Sequence, residues 1–230
     1  MAEPAILAVG VAKSYGSGET AVPVLRGVDM RVEPGEFVAV LGPSGSGKST
    51  LLNILGLMDR PDAGELSLGG VRAVGLHDDE RSRLRNERLG FVFQFDSLLP
   101  EFTILENVMM PARIARARRL TEEPIAKAAA RATTLLASLG LSKLHARFPS
   151  QTSGGERQRA AIARALANSP SVILADEPTG NLDRENGAKV FADFKALARD
   201  QGVAVILVTH DESQAKTADR ILRMDDGLLR

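Results

Sequence analysis

One stretch limits what this chain can fold into more than any other. The apolar run Phe37 to Leu41 enters Gly42-Pro43-Ser44-Gly45-Ser46-Gly47-Lys48-Ser49-Thr50, and Leu51, Leu52, Ile54 and Leu55 then begin a helical pattern. This is G-x-x-x-x-G-K-[ST] set between a buried strand and a helix. Glycines let backbone N–H groups close around an anion without a Cβ in the way. The new helix points its positive dipole end at the same place. The pattern predicts a phosphate cradle made of Gly42, Pro43, Ser44, Gly45, Ser46, Gly47, Lys48, Ser49 and Thr50. Lys48 is expected to reach β- and γ-phosphates and the Ser49 hydroxyl to ligate Mg²⁺.

Three further short apolar runs, residues 91–93, 172–175 and 203–208, read as buried strands with helical patterns between them. That alternation predicts an α/β fold with a parallel sheet and crossover helices. Ligands of such sheets bind beyond the carboxyl ends of the strands. Each run ends in chemistry: the cradle, then Gln94, then Asp176 and Glu177, then Thr209 and His210. Beside the cradle, Asp176 is expected to hold Mg²⁺ and Glu177 to orient and polarise an attacking water. Position alone leaves His210 open between a γ-phosphate contact and a structural role. Gln94 is equally open between an Mg²⁺ or water contact and a bland one. Tyr15, the only tyrosine, lies in a glycine-flanked loop and suits either adenine stacking or plain exposure.

The first forty residues and residues 64–74 read as antiparallel strands with turn glycines, and Asp226-Gly227 as the turn of a terminal hairpin. Residues 97–167 read as a helical subdomain inserted into one domain spanning 1–230. Within it Ile125, Ala128, Ala132, Leu135, Leu136 and Leu139 follow helical spacing, and Gly140 stands where a C-terminal glycine belongs. Twenty-nine basic residues balance twenty-nine acidic ones, and there is no tryptophan, so neither a basic stripe nor a stacking surface argues for nucleic acid. Without cysteine, disulfides and thiolate metal sites are excluded. No run approaches the roughly 20 apolar residues of a membrane helix, so any membrane role needs a spanning partner.

Ser153-Gly154-Gly155-Glu156 opens another helical segment and forms a second potential anion site, although a simple helix cap would look the same. The order of the cradle, Gln94, Ser153 to Glu156, residues 172–177, Asn181-Leu182-Asp183 and His210 resembles the ABC ATPases. The resemblance makes these the Walker A, Q-loop, signature, Walker B, D-loop and H-loop of a P-loop NTPase. It implies ATP and Mg²⁺ (on Ser49, Gln94 and Asp176) and catalytic roles for Lys48, Gln94, Glu177 and His210. It implies an adenine-stacking Tyr15. It also implies an ATP-dependent head-to-tail homodimer in which Ser153, Gly154, Gly155 and Glu156 serve the partner's nucleotide and Asn181, Leu182 and Asp183 form the D-loop. Thr152 stands where the family usually has leucine, which predicts weaker anchoring of the signature rather than lost activity.

Residues 89–95, Leu98-Leu99-Pro100-Glu101-Phe102-Thr103, Glu106-Asn107-Val108 and residues 174–183 resemble most closely the lipoprotein-releasing branch of that family. ATPases of macrolide exporters and of a cell-division complex are near kin. The branch implies integral membrane permease subunits as partners, the cytoplasmic face of a bacterial inner membrane, and a docking region after Gln94. There Met109, Met110 and Phe102 are either partner contacts or subdomain core. Arg113, Arg116, Arg118 and Arg119 read as a solvated helix face or as a contact for acidic groups.

Overall fold

The structure is a computed structural model that describes residues 3–94, 98–179, 182 and 184–230, with the backbone alone for Glu19, Arg184, Glu185, Asn186 and Leu197. Strands β1 (Ile6–Tyr15), β2 (Val22–Val32), β4 (Ala63–Leu68) and β5 (Val71–Arg72) form an antiparallel sheet in the order β2-β1-β4-β5. The main sheet joins β3 (Phe37–Leu41), β6 (Leu89–Val92), β7 (Val172–Asp176), β8 (Ala204–Thr209), β9 (Arg220–Asp225) and β10 (Leu228–Leu229). Its order is β10-β9-β3-β8-β7-β6, and all neighbours but the terminal hairpin run parallel.

The continuous apolar runs are explained by burial on both faces. Phe37, Ala39 and Leu41 of β3 face one core with Ile173, Ala175, Val205 and Leu207. Val38 and Val40 face the other with Val172, Leu174, Ile206 and Val208. Phe37 sits edge-on to Phe191, ring centroids 5.5 Å apart. The strand ends differ slightly from expectation. β6 begins at Leu89 and stops before Phe93, because Leu89 and Gly90 pair with Val172 and Ile173. β8 runs one residue further, because Thr209 pairs with Leu41 and is 1% exposed. The predicted hairpin is present: Asp226 (φ 43) and Gly227 (φ 76) are both left-handed, as a two-residue primed turn requires.

Helix α1 (Lys48–Leu55) follows β3 and packs between the sheets, and α2 (Asp78–Arg88) leads into β6. Helices α3 (Ile104–Ala117), α4 (Ile125–Ser138) and α5 (Gly154–Leu166) pack on one another, and α5 also lies on β6. Of the periodic residues of α4, Ala128, Ala132, Leu135, Leu136 and the following Leu139 are buried and Gly140 is at φ +72, whereas Ile125 at the helix start is 41% exposed. Helices α6 (Arg184–Asp200) and α7 (Glu212–Ala215) flank β8.

Asn107 holds the connection into α3. Fully buried, its side chain accepts from Leu99 N–H (2.7 Å) and donates to the carbonyls of Leu99, Phe102 and Thr103. Thr103 and Glu106 cap the same helix. The β6–α5 contact depends on a missing side chain, since a Cβ on Gly90 would stand 2.3 Å from the Ala165 carbonyl oxygen. Gly90→Ala is expected to lower unfolding stability by about 2–3 kcal/mol in denaturant titration, because the backbone on both sides must part.

Candidate functional site

The carboxyl ends of β3, β7 and β8 open on a cavity of about 630 Å³ lined by Val24, Ser44, Gly45, Gly47, Lys48, Ser49, Thr50, Asp176, Glu177 and His210. Gly47, at φ +104, is the N-cap of α1, whose first N–H groups therefore point into the loop. The loop is braced from behind. A Cβ on Gly42 would meet the Met224 carbonyl oxygen at 2.2 Å, and Gly227 N–H donates to the Ser46 carbonyl at 3.1 Å. Pro43 closes the turn by accepting from Ser46 N–H, 3.3 Å. The buried Ser46 hydroxyl makes no hydrogen bond.

Lys48 is 8% exposed and donates to the carbonyls of Gly42 (2.9 Å) and Pro43 (2.8 Å). Burial holds its ammonium pKa below the usual range, against the opposing pull of Glu177 and Asp176. Asp176 is the converse: burial and the Glu177 charge push its carboxyl up, while Lys48 and a hydrogen bond with Ser49 oppose them. A site gathering three charged groups so close to buried strand ends is built for a polyanion with a cation.

Glu177 follows β7 in the left-handed region at φ 44, which is rare for a side chain of this size. Its N–H donates to the Val208 carbonyl (2.9 Å), and its Oε1 lies 2.5 Å from His210 Nδ1. The backbone reversal turns Glu177 from the line of β7 towards the end of β8. Such strain costs about 1–3 kcal/mol and persists where the surroundings impose it.

Glu177 and His210 also line a neighbouring cavity of about 540 Å³ with Gln94, Thr179, Leu182, Thr209, Asp211, Ser213 and Gln214. Gln94 thus lines a cavity that shares Glu177 and His210 with the cavity of the glycine loop. Sequence reasoning passed over Thr179, Asp211, Ser213 and Gln214. Asp211 caps α7 by accepting from Ser213 N–H (2.7 Å), and Asp-x-Ser before a helical turn was the available signal.

Tyr15 ends β1, 43% exposed, with its hydroxyl donating to Asp59 (2.8 Å) and Thr50 nearby. The helix start at Ser153 lines neither cavity. Ser153 and Glu156 cap α5 reciprocally, with Glu156 accepting from Ser153 N–H (2.7 Å) and Ser153 Oγ from Glu156 N–H (3.3 Å). The bonds that the Glu156 carboxylate accepts from Ser153 N–H and from the Ser153 hydroxyl (2.9 Å) hold its carboxyl below the usual range. Gly154 lies near Leu182, whose Cδ2 would be 3.4 Å from an added Cβ. Gly155 continues the first turn. Asn181 and Asp183 lie outside the described residues, as do Phe95 and Ser97. Thr152 is buried, and its hydroxyl donates to the Pro149 carbonyl at 2.8 Å, so the position keeps a satisfied anchor in place of an aliphatic one.

A groove of about 370 Å³ separates α2, β6 and α3. Met58, Phe91, Met110, Pro111, Ile114 and Leu120 supply its apolar lining, and Arg85, Arg118 and Arg164 its charge. Met110 thus lies at a surface groove, Met109 is 7% exposed within the core, and Phe102 is half-buried away from the groove. Arg118 pairs with Asp79 at 2.9 Å, Arg113 with Glu106 at 3.6 Å, and Arg116 donates to the Glu123 carbonyl. Arg119 (φ 56) follows the end of α3.

A family profile described as "ABC transporter" matches residues 25–180. The lipoprotein-releasing system ATP-binding protein LolD of Saccharophagus degradans is 47% identical over 229 residues, 100% of this chain and 98% of that protein. The macrolide export ATP-binding/permease protein MacB of Syntrophobacter fumaroxidans is 48% identical over 95% of this chain, and the match spans 30% of that protein. Among solved structures, a dimeric post-hydrolysis state of the ATP-binding cassette MJ0796 bound to ADP and Pi is similar with a TM-score of 0.86 at 39% identity. That likeness covers 98% of this chain and 96% of the other.

Proposed function

The chain belongs to the ABC transporter family, and from that premise we propose that it is the ATP-hydrolysing subunit of a lipoprotein-releasing transporter. The observation that carries the chemistry is the single cavity shared by Lys48, Ser49, Asp176, Glu177 and His210. The full-length likeness to a lipoprotein-releasing ATP-binding protein supports the substrate class. Macrolide-type export is the second reading, favoured by the likeness to a macrolide export protein.

ATP's phosphates replace the Gly42 and Pro43 carbonyls as acceptors for Lys48, and loop N–H groups take the remaining oxygens. Ser49 and Asp176 are hard oxygen ligands suited to Mg²⁺, with Gln94 able to approach from the adjoining cavity. When bound, Mg²⁺ supplies charge neutralisation of the β- and γ-phosphate oxygens. Water attacks the γ-phosphorus as the bond to the β,γ-bridging oxygen breaks. Its proton passes to Glu177, which His210 orients, and ADP and phosphate leave.

The capped start of α5 serves the nucleotide of a second, head-to-tail copy, with Leu182 of the D-loop beside it. Residues 97–167 act as a subdomain of one ATPase domain. No helix among the described residues is long and apolar enough to cross a membrane. The permease supplies that part, and this chain docks on it at the cytoplasmic face of the inner membrane. The Met110–Ile114 groove is the docking surface, apolar at its centre and cationic at its edge.

The test is capture from detergent-solubilised membranes with the tagged chain. The wild type should hydrolyse ATP and retain a permease with a large periplasmic domain. Ile114→Lys, at a 44% exposed groove position, should keep ATP affinity within about twofold and lose permease capture by about tenfold or more. Undiminished capture would remove the groove from the interface, and absence of ATP hydrolysis would refute the proposal.

A further inference from the structure

Tyr15 does not stand alone at the end of β1. The turn of residues 59–62 grips three consecutive residues at the end of β1. Asp59 Oδ2 accepts from the Tyr15 hydroxyl at 2.8 Å, and Asp59 Oδ1 from Lys13 Nζ at 3.2 Å. Asp62 accepts from Ser14 N–H at 2.6 Å and from Lys13 Nζ at 3.3 Å. The Lys13 ammonium also stands over the Tyr15 ring, 5.4 Å from its centroid, which covers one ring face with a cation.

Asp59 is itself fixed from below. Arg81, 9% exposed, donates to the carbonyls of Asp59 (2.7 Å) and Leu57 (2.9 Å), and Arg85 donates to Leu57 as well (2.8 Å). Leu57 is held left-handed at φ 56. Burial works against the Asp59 charge, yet the bonds from Tyr15, Arg60 N–H and Lys13 keep its carboxyl below the usual range. Asp59 therefore stays an acceptor for the phenol throughout the neutral range.

We propose that Asp59 is a positioning residue of the nucleotide site, orienting the Tyr15 ring through its hydroxyl so that the face opposite Lys13 is presented to the base. This rests on the reading that Tyr15 stacks on adenine. A ring anchored at its para position loses less rotational freedom when a base binds, so the anchor strengthens ATP binding without touching ATP.

The experiment compares ATP with inorganic tripolyphosphate, a probe with phosphates and no base, by titration calorimetry. Asp59→Ala and Tyr15→Phe should each weaken ATP about three- to tenfold and leave tripolyphosphate unchanged. The double variant should be no weaker than the worse single variant, since Asp59→Ala, which also releases Lys13, already breaks the bond that Tyr15→Phe removes. Asp59→Asn keeps an acceptor for the hydroxyl and should recover most of the loss. Equal weakening of ATP and tripolyphosphate by Asp59→Ala would mean a general loosening of the loop and overturn the proposal. So would full ATP affinity in Asp59→Ala when Tyr15→Ala is impaired, a result that leaves stacking intact. Full affinity in Tyr15→Ala would instead defeat the stacking reading, and the proposal with it.

Discussion

Glu177→Gln should lower ATP turnover by about 10²- to 10⁴-fold while ATP still drives two copies together. The substitution keeps the size of the side chain and its ability to hydrogen-bond to His210, now 2.5 Å from Glu177 Oε1. It removes the capacity to accept a proton from water. It also removes one negative charge beside Asp176, whose carboxyl is pushed up by burial and then by Glu177. ATP carries several negative charges into this cavity, so binding should be retained or improved by the neutral amide. The left-handed backbone at residue 177 imposes the same geometry on either residue. Phosphate release should therefore collapse in a steady-state assay, while light scattering with ATP and Mg²⁺ reports a persistent dimer. Turnover within threefold of wild type would take the base role from Glu177.

Much of this was legible in the chain because the parallel strands are buried on both faces. A strand such as 172–175 has no polar face to confuse it, and the residue that ends the run is by necessity at the ligand edge. The glycine loop was legible for the same reason, as its neighbours fix it between strand and helix. What escaped was set by contacts distant in sequence. The early start of β6 rests on Leu89 and Gly90 pairing with Val172 and Ile173, and its fit to α5 on Gly90 leaving room for the Ala165 carbonyl, seventy-five positions away by their numbers. The Tyr15–Asp59 bond spans 44 residues, and no local pattern announces it. Gln94 is legible as a strand-end polar residue, but that the cavity it lines also holds Thr179, Asp211, Ser213 and Gln214 depends on packing distant in sequence. Met109 is buried while its neighbour Met110 is half-buried at the groove, because successive helix positions turn by about 100°.

Lys48→Ala should weaken ATP binding by about 100-fold or more without destabilising the empty protein. The loss follows from removing a buried ammonium at the phosphate cradle, a truncation that typically costs about 2–5 kcal/mol in a desolvated charge pair. The stability expectation follows from the direction of the Lys48 pKa. Burial lowers it in the fold, so the unfolded chain binds this proton more tightly than the native one. Between the lowered native pKa and the unfolded value of about 10.4, stability rises with pH; below that window the charged lysine costs stability in full. Alanine lifts that cost and gives up two hydrogen bonds to Gly42 and Pro43 carbonyls that can turn to cavity water. Melting of the ligand-free variant should therefore occur at or near the wild-type temperature. Millimolar ATP with Mg²⁺ should raise the wild-type midpoint by several degrees and leave the variant unmoved. A variant that melts far below wild type when empty would make Lys48 a structural prop of the loop, and one that binds ATP normally would remove it from the phosphate site.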